Sequence, residues 1–391
     1  MTSSVIIAGA RTPIGRLLGS LSGLSATNLG AIAIREAVTK SHLSASDIDA
    51  VIMGNVVQAG VGPNPARMAA VEGGIGFEVP ATTINKLCLS GLSSIAYADQ
   101  LIRLGQHEVI VAGGFESMTN APHLVLGSRK GTRYGPGRMV DALDQDALTC
   151  AFDGISMGAA TERYQGGFGI TRQAQDEYAV RSHELAIAAA KDGRFDDEVV
   201  AVTNAKGDLL LAHDEGVRPG STADSLGRLR PAFATEGTIT AGNASQLSDG
   251  AAAVVVMSKV RAERLGLTWL AEIGAHGTVA GPDPSLVIQP ANAIQDALRR
   301  NGALTVADLD LVEINEAFAG VVLASVAQLG VPIDRVNVNG GAIAFGHPVG
   351  MSGARLVLTL AHELHRRGGG NGAAALCGGG GQGDSLLLRV P

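Results

Sequence analysis

The sequence predicts an α/β protein made of two similar halves around an inserted lobe, and three observations carry that prediction. Helical segments of 10–15 residues alternate with short runs rich in Val, Ile and Ala, the pattern of βαβ units whose sheet is buried on both faces. The same succession then recurs about 261 residues further on. Between the two copies lies a stretch of different texture, richer in turns and in unpaired basic residues. The 391 residues are ample for large hydrophobic cores, and 46% hydrophobic against 17% charged excludes a disordered chain.

The elements follow in order. After the strand-like Val5-Ile6-Ile7, a helical segment carries Ala33-Ile34 and Ala37-Val38, and residues 46–54 read Ser-Asp-Ile-Asp-Ala-Val-Ile-Met-Gly. Ser90-Gly91 opens a helix of about 91–105 that leads to the strand Val109–Gly114. In the second copy Ala293-Ile294 and Ala297-Leu298 precede Ala-Asp-Leu-Asp-Leu-Val-Glu-Ile-Asn at 307–315. Ser352-Gly353 then opens a helix leading to Gly372–Gly378. Two such halves would face each other about a pseudo-twofold axis, bringing equivalent loops together. The first half is expected to comprise residues 1–118 with 249–268, because Asp249–Met257 regains buried-strand character, and the second half residues 269–391. Residues 119–248 form the lobe, read as covering a site. It holds an amphipathic helix near Thr171–Asp192 and a segment, Met118 to Val140, with Arg129, Lys130, Arg133 and Arg138 and no acidic residue.

Several function classes are excluded at this level. Aromatics at 3% are too few for a base-stacking platform, and a net charge of −7 leaves no basic stripe, so nucleic acid is not an expected partner. No apolar run reaches the roughly 18 residues of a membrane span. The N-terminal residues lack the basic start of a secretory signal, so a cytoplasmic setting is expected. Three cysteines at distant positions make neither a disulfide framework nor a zinc cluster. His362-Glu363-Leu364-His365 has only two residues between its histidines, so no metal site is read there.

Four positions could carry chemistry. Cys88 lies where an apolar run gives way to a helix, and the helix dipole there would lower its thiol pKa; packing as a small hydrophobe is the alternative. Cys377 opens a run with five glycines in the six positions 378–383, which lets backbone N–H groups approach a ligand. That run matches the G-x-G-x-x-G spacing, but no helix or acidic residue follows before the chain ends, so a dinucleotide site is not read. His347 stands in a Gly-His-Pro turn before a helix and is a candidate base, with a structural histidine as the alternative. Asn315, at a strand end, could hold a water or oxyanion or simply form a turn. Cys150 reads as packing.

These residues lie in segments that resemble the thiolase family over essentially the whole chain. The segments are Asn85–Gly91, Glu116-Ser117-Met118, Ala241–Ser245, Asn315–Ala319, Gly346-His347-Pro348 and the glycine run after Cys377. The resemblance implies two thiolase-fold halves in a five-layered α/β/α/β/α core, a loop domain over the active site, and homo-oligomers, tetramers favoured over dimers. It implies coenzyme A thioesters as substrates and no cofactor. Cys88 would be the acylated nucleophile, His347 its base, and Cys377 the base toward a second acetyl-CoA. Asn315 with His347 would form one oxyanion hole, and the N–H groups of Cys88 and Gly379 another. The activity implied is acetyl-CoA C-acetyltransferase. A degradative 3-ketoacyl-CoA thiolase and a non-catalytic acyl-CoA carrier are the alternatives, and the presence of all four reactive positions speaks against the carrier.

Coenzyme A contacts carry over as Ser245 on the pantetheine arm and Arg218 and Ser225 at the adenosine end. Leu148, Met157, Phe233, Ala241 and Phe318 would line the tunnel, and the basic loop 129–138 would meet phosphates or a neighbouring subunit. Four positions depart from the family's habit: Leu89 after the nucleophile, Phe345 before Gly-His-Pro, Gly378 after Cys377, and Ser156 in place of a histidine. The bulk of Leu89 and Phe345 predicts a preference for short acyl chains, by overpacking of the space a long chain needs.

Overall fold

The computed structural model describes residues 3–131 and 134–391, so Arg133 of the basic stretch lies outside the described residues. The first half supplies β1 (Ser4–Arg11), α1 (Ala26–Lys40), β2 (Ala50–Gly54), α2 (Pro65–Glu72), β3 (Ala81–Ile84), α3 (Ser90–Arg103) and β4 (Val109–Ser117). The intervening segment carries α4 (Met157–Gln165) and α5 (Arg172–Lys191) before β5 (Ser248–Ser258) rejoins the first sheet. The second half follows with β6 (Ala271–Ala280), α6 (Gln289–Asn301), β7 (Leu311–Ile314), α7 (Ala319–Leu329), α8 (Ser352–Arg366), β8 (Gly370–Gly378) and β9 (Gln382–Val390).

The strands run β3-β2-β4-β5-β1 in the first half and β7-β8-β9-β6 in the second, so the duplication read from the sequence is a duplication of sheet topology. Counterparts match: β2 lies parallel to β4 as β7 lies parallel to β8, while β5 and β9 return antiparallel inside their halves. The sheets are therefore mixed, because each half closes with an antiparallel return that the alternation of helices and strands does not reveal. The halves touch edge to edge through two residue pairs, Val5 with Glu272 and Ile6 with Ala271.

Alternation along each strand separates three cores. Ile110 and Ala112 of β4 and Leu386 and Leu388 of β9 turn inward, onto a shared cluster with Leu92 and Ile95 of α3 and Leu356 and Leu360 of α8. Val109 and Val111 turn outward to the cluster of Ile34, Ala37 and Ala69 on α1 and α2. Ala373, Ala375 and Leu387 turn outward to Ile294, Ala297 and Val322 on α6 and α7. The layers are thus α1/α2, a sheet, α3/α8, a sheet, and α6/α7. Strands buried on both faces explain the unbroken apolar runs of the sequence.

Among the described residues, 118–247 add short two-stranded pieces and the five-residue helix Ala223–Gly227 to α4 and α5, apart from the large sheet. α5 begins after Thr171, whose hydroxyl accepts from the Ala174 N–H, and ends at Asp192, as its amphipathic pattern predicts. Among the described residues no helix is long and apolar enough to cross a membrane.

Candidate active site

Cys88 sits on the turn between β3 and α3. Asn85 accepts the Leu87 N–H through Oδ1 at 3.0 Å and donates to the Val56 carbonyl, while Ser90 Oγ accepts the Lys86 N–H at 2.8 Å and donates to the Leu87 carbonyl. These bonds hold Leu87 at φ +54°, a left-handed conformation that an apolar L-residue adopts only when its surroundings impose it. The turn presents the Cys88 thiol to a cavity of about 580 Å³. Burial pushes this thiol up to about 11, although the N–H groups of Cys88 itself and Gly379 reach the sulfur and favour the thiolate. The lowered pKa expected from the helix start is therefore overturned: loss of water outweighs the dipole and the two donors.

His347 enters from the other half. Its N–H donates to the Gln246 carbonyl at 3.0 Å, and the turn is set by Gly346 at φ +109°, where a Cβ would fall 2.0 Å from Ser248 Oγ. The imidazole is buried; Nδ1 lies 2.6 Å from Ser352 Oγ and Nε2 lies 3.3 Å from Asn315 Nδ2. Ser352 Oγ donates to the Pro348 carbonyl, so assigning the ring proton to Nδ1 satisfies both contacts and leaves the Nε2 lone pair free as an acceptor. Burial, with the Arg355 charge adding to it, lowers the imidazolium pKa to about 3, so the ring is neutral at physiological pH.

Cys377 is the next-to-last residue of β8, opposite Gly383, and is buried. Its thiol is pushed far up by burial and then by its proximity to Cys88. Cys88, His347, Cys377 and Gly379 all line the one cavity. Asn315, wholly buried, stands behind His347, and its Oδ1 has no partner among the described residues.

The expected coenzyme A contacts divide. Ser245, Arg218, Leu148, Met157, Phe233, Ala241 and Phe318 line the same cavity. Ser245 donates from both N and Oγ to the Ala317 carbonyl, and Ala244 pairs with Phe318, so the segments 241–245 and 315–319 form one wall. Phe233 meets Phe318 edge to face at 6.1 Å. Ser225 is not part of the lining: it is exposed, in a capping box with Thr222 that opens a short helical turn. Ser156 lines the cavity and caps α4.

Two residues expected to restrict the acyl space do not reach it. Leu89 turns its wholly buried side chain into the central core, and Phe345 packs edge to face on Phe195 at 5.4 Å with Arg355 over its ring. Neither lines the cavity, so, contrary to expectation, their bulk does not fill acyl-chain space.

Sequence reading missed Ser352 and Glu116. Ser352 shows in the sequence as a helix start, and its spacing of five residues after His347 is the signal for its contact with the imidazole. Glu116, in the motif Glu116-Ser117-Met118, is a buried carboxylate that accepts the N–H groups of Val56, Val57 and Gly350 and so ties the His347 loop to the first half. Burial pushes its carboxyl up to about 7.

Residues 4–260 match the family described as "Thiolase, N-terminal domain", and residues 267–390 match "Thiolase, C-terminal domain". A "Probable acetyl-CoA acetyltransferase" of Mycolicibacterium smegmatis is 60% identical over 388 residues, covering 98% of this chain and all of the relative. A protein of the same description in Mycobacterium tuberculosis is 59% identical over 392 residues, covering both chains in full. An "Acetyl-CoA acetyltransferase" of Cupriavidus necator is 48% identical over 371 residues, 94% of each chain.

Proposed function

The chain belongs to the thiolase family, and on that footing we propose that it is an acetyl-CoA C-acetyltransferase, joining two acetyl-CoA into acetoacetyl-CoA and coenzyme A and running the reverse thiolysis. The observation that carries the reading is the meeting of two thiols and one neutral imidazole, from both halves, in a single cavity. One thiol would suffice for acyl transfer alone; a second answers the need for a carbon acid's base.

The steps balance as follows. Cys88 Sγ attacks the carbonyl carbon of the first acetyl-CoA as its proton passes to His347 Nε2. The oxyanion of the tetrahedral intermediate is met by the N–H groups of Cys88 and Gly379. The carbon–sulfur bond to coenzyme A breaks, Cys377 gives its proton to the departing thiolate, and the acetyl group stays on Cys88. Cys377, now a thiolate, takes a proton from the methyl carbon of a second acetyl-CoA. The enolate oxygen is held by protonated His347 Nε2 and a water on Asn315, whose free Oδ1 suits that role. The carbanion forms the new carbon–carbon bond with the acyl carbon, the bond to Cys88 breaks, and Cys88 recovers its proton from His347. Ser245, Arg218 and the Phe233–Phe318 pair are the proposed coenzyme A contacts, supported by their place on the cavity wall.

Intact-mass analysis after mixing with acetyl-CoA tests the reading. The wild type gains one acetyl group and Cys88→Ala gains none; Cys377→Ala still gains one, the coenzyme A thiolate then leaving without a proton from Cys377, yet condenses slower by several orders of magnitude. An adduct persisting in Cys88→Ala, or near wild-type condensation by Cys377→Ala, overturns the corresponding role. Comparing kcat/KM for thiolysis of acetoacetyl-CoA and of longer 3-ketoacyl-CoAs separates this reading from a degradative thiolase; higher values for the longer chains select the latter.

A further inference from the structure

The two thiols enter the cavity from different halves, and their relative position depends on non-covalent contacts beside them. Two such contacts bracket the pair. Upstream of Cys88, Lys86 Nζ lies 2.6 Å from Asp384 Oδ1 and donates to Thr278 Oγ1 at 3.0 Å. Asp384 is wholly buried and stands opposite Leu376, the residue before Cys377, in the β8–β9 ladder. Its second oxygen accepts from Ser93 on α3, so one carboxylate binds both the Cys88 turn and the helix that follows. Downstream of Cys88, the Leu89 side chain lies over Gly378, the residue after Cys377. A Cβ at Gly378 would fall 2.6 Å from Leu89 Cγ and 2.8 Å from its Cδ1. Neither Lys86 nor Leu89 lines the cavity.

Resting on the proposed two-thiol reaction, we infer that Lys86 and Leu89 are positioning residues that clasp the Cys88 turn to the Cys377 strand and set the spacing across which the carbon–carbon bond forms. One contact is a partly buried ion pair that fixes direction; the other is a steric stop that fixes distance. Bond formation needs the acyl carbon and the attacking carbon within about 3–3.5 Å, and a misplacement of about 1 Å can cost about 100-fold. Substrate affinity is set by the residues that line the cavity, and neither Lys86 nor Leu89 is one of them.

Steady-state condensation kinetics test this. Leu89→Ala is expected to lower kcat by about tenfold to 100-fold while KM for acetyl-CoA stays within about twofold. The double variant Leu89→Ala/Gly378→Val, which returns three carbons to the same space from the strand side, recovers most of the lost kcat. Gly378→Val alone, meeting an intact Leu89, is slower than the double variant. Lys86→Met, which removes no core volume, lowers kcat at unchanged KM, and Lys86→Arg retains more activity than Lys86→Met. A double variant no faster than Leu89→Ala, a KM that rises in step with the fall in kcat, or wild-type kcat in both Leu89→Ala and Lys86→Met overturns the clasp. A wild type that acetylates on neither cysteine overturns the two-thiol reading itself, so the two failures are distinguishable.

Discussion

The three titratable reactive groups are all kept from water, and that decides their resting protonation. Both thiols stay protonated because burial disfavours the thiolate, and His347 stays neutral because burial and Arg355 disfavour the imidazolium. In the proposed reaction the proton on Cys88 therefore moves as the sulfur attacks, not beforehand. The same burial has a stability consequence. The folded imidazole has a pKa of about 3, below the ordinary 6.5 of an unfolded histidine, so between these values the unfolded chain binds more protons. Stability from this source is thus undiminished above pH 6.5, falls as the pH drops below it, and is fully lost below about 3. His347→Gln removes this dependence. Denaturant unfolding at pH 7 and pH 5 should show the wild type losing roughly 2 kcal/mol more than His347→Gln over that interval. Equal losses would mean that the ring protonates freely in the folded protein.

At the scale of elements, the turn, the strand ends and the helix starts were legible because they combine a chemical residue with a change of periodicity. Cys88 before α3, Asn315 after β7, and Cys377 at the end of β8 each stand where an apolar run stops. What the sequence left hidden is which way a neighbouring side chain points. Leu89 and Phe345 lie beside reactive residues along the chain, yet the turn sends Leu89 toward Gly378, and the short helix Ala342–Phe345 sends Phe345 toward Phe195. Adjacency to a catalytic residue is not adjacency to the substrate. Phe345→Leu is accordingly expected to leave the ratio of kcat/KM between acetoacetyl-CoA and longer 3-ketoacyl-CoAs within about twofold of wild type, since it changes no wall of the cavity. A shift of tenfold toward longer chains in thiolysis assays would show that the ring governs acyl space after all. Ser225 teaches the complementary lesson: its hydroxyl is spent on its own helix cap.

For the whole molecule, the duplication was readable as repeated motifs, but its physical meaning lies at the axis where the halves meet. α3 and α8 lie back to back as the central layer, and their first turns cross at Gly91 and Gly353, counterparts in the two copies. A Cβ at Gly91 would lie 2.8 Å from the Gly350 carbonyl oxygen and 2.9 Å from the Ala354 nitrogen; one at Gly353 would lie 2.4 Å from the Leu92 nitrogen. These obstacles are backbone, which no rotamer change relieves, so either methyl group must separate the helices. Gly91→Ala and Gly353→Ala are each expected to cost about 1–3 kcal/mol in denaturant unfolding, the usual range for overpacking. Activity should fall with stability, because the same separation displaces Cys88, three residues before Gly91, and Ser352, which holds His347. A single widening of the crossing accommodates both methyl groups, so the double variant should lose less than the sum of the single losses. Independent local adjustments would instead add to within about 0.5 kcal/mol. An additive result would mean that the two helices yield separately and that the axis is not one rigid contact.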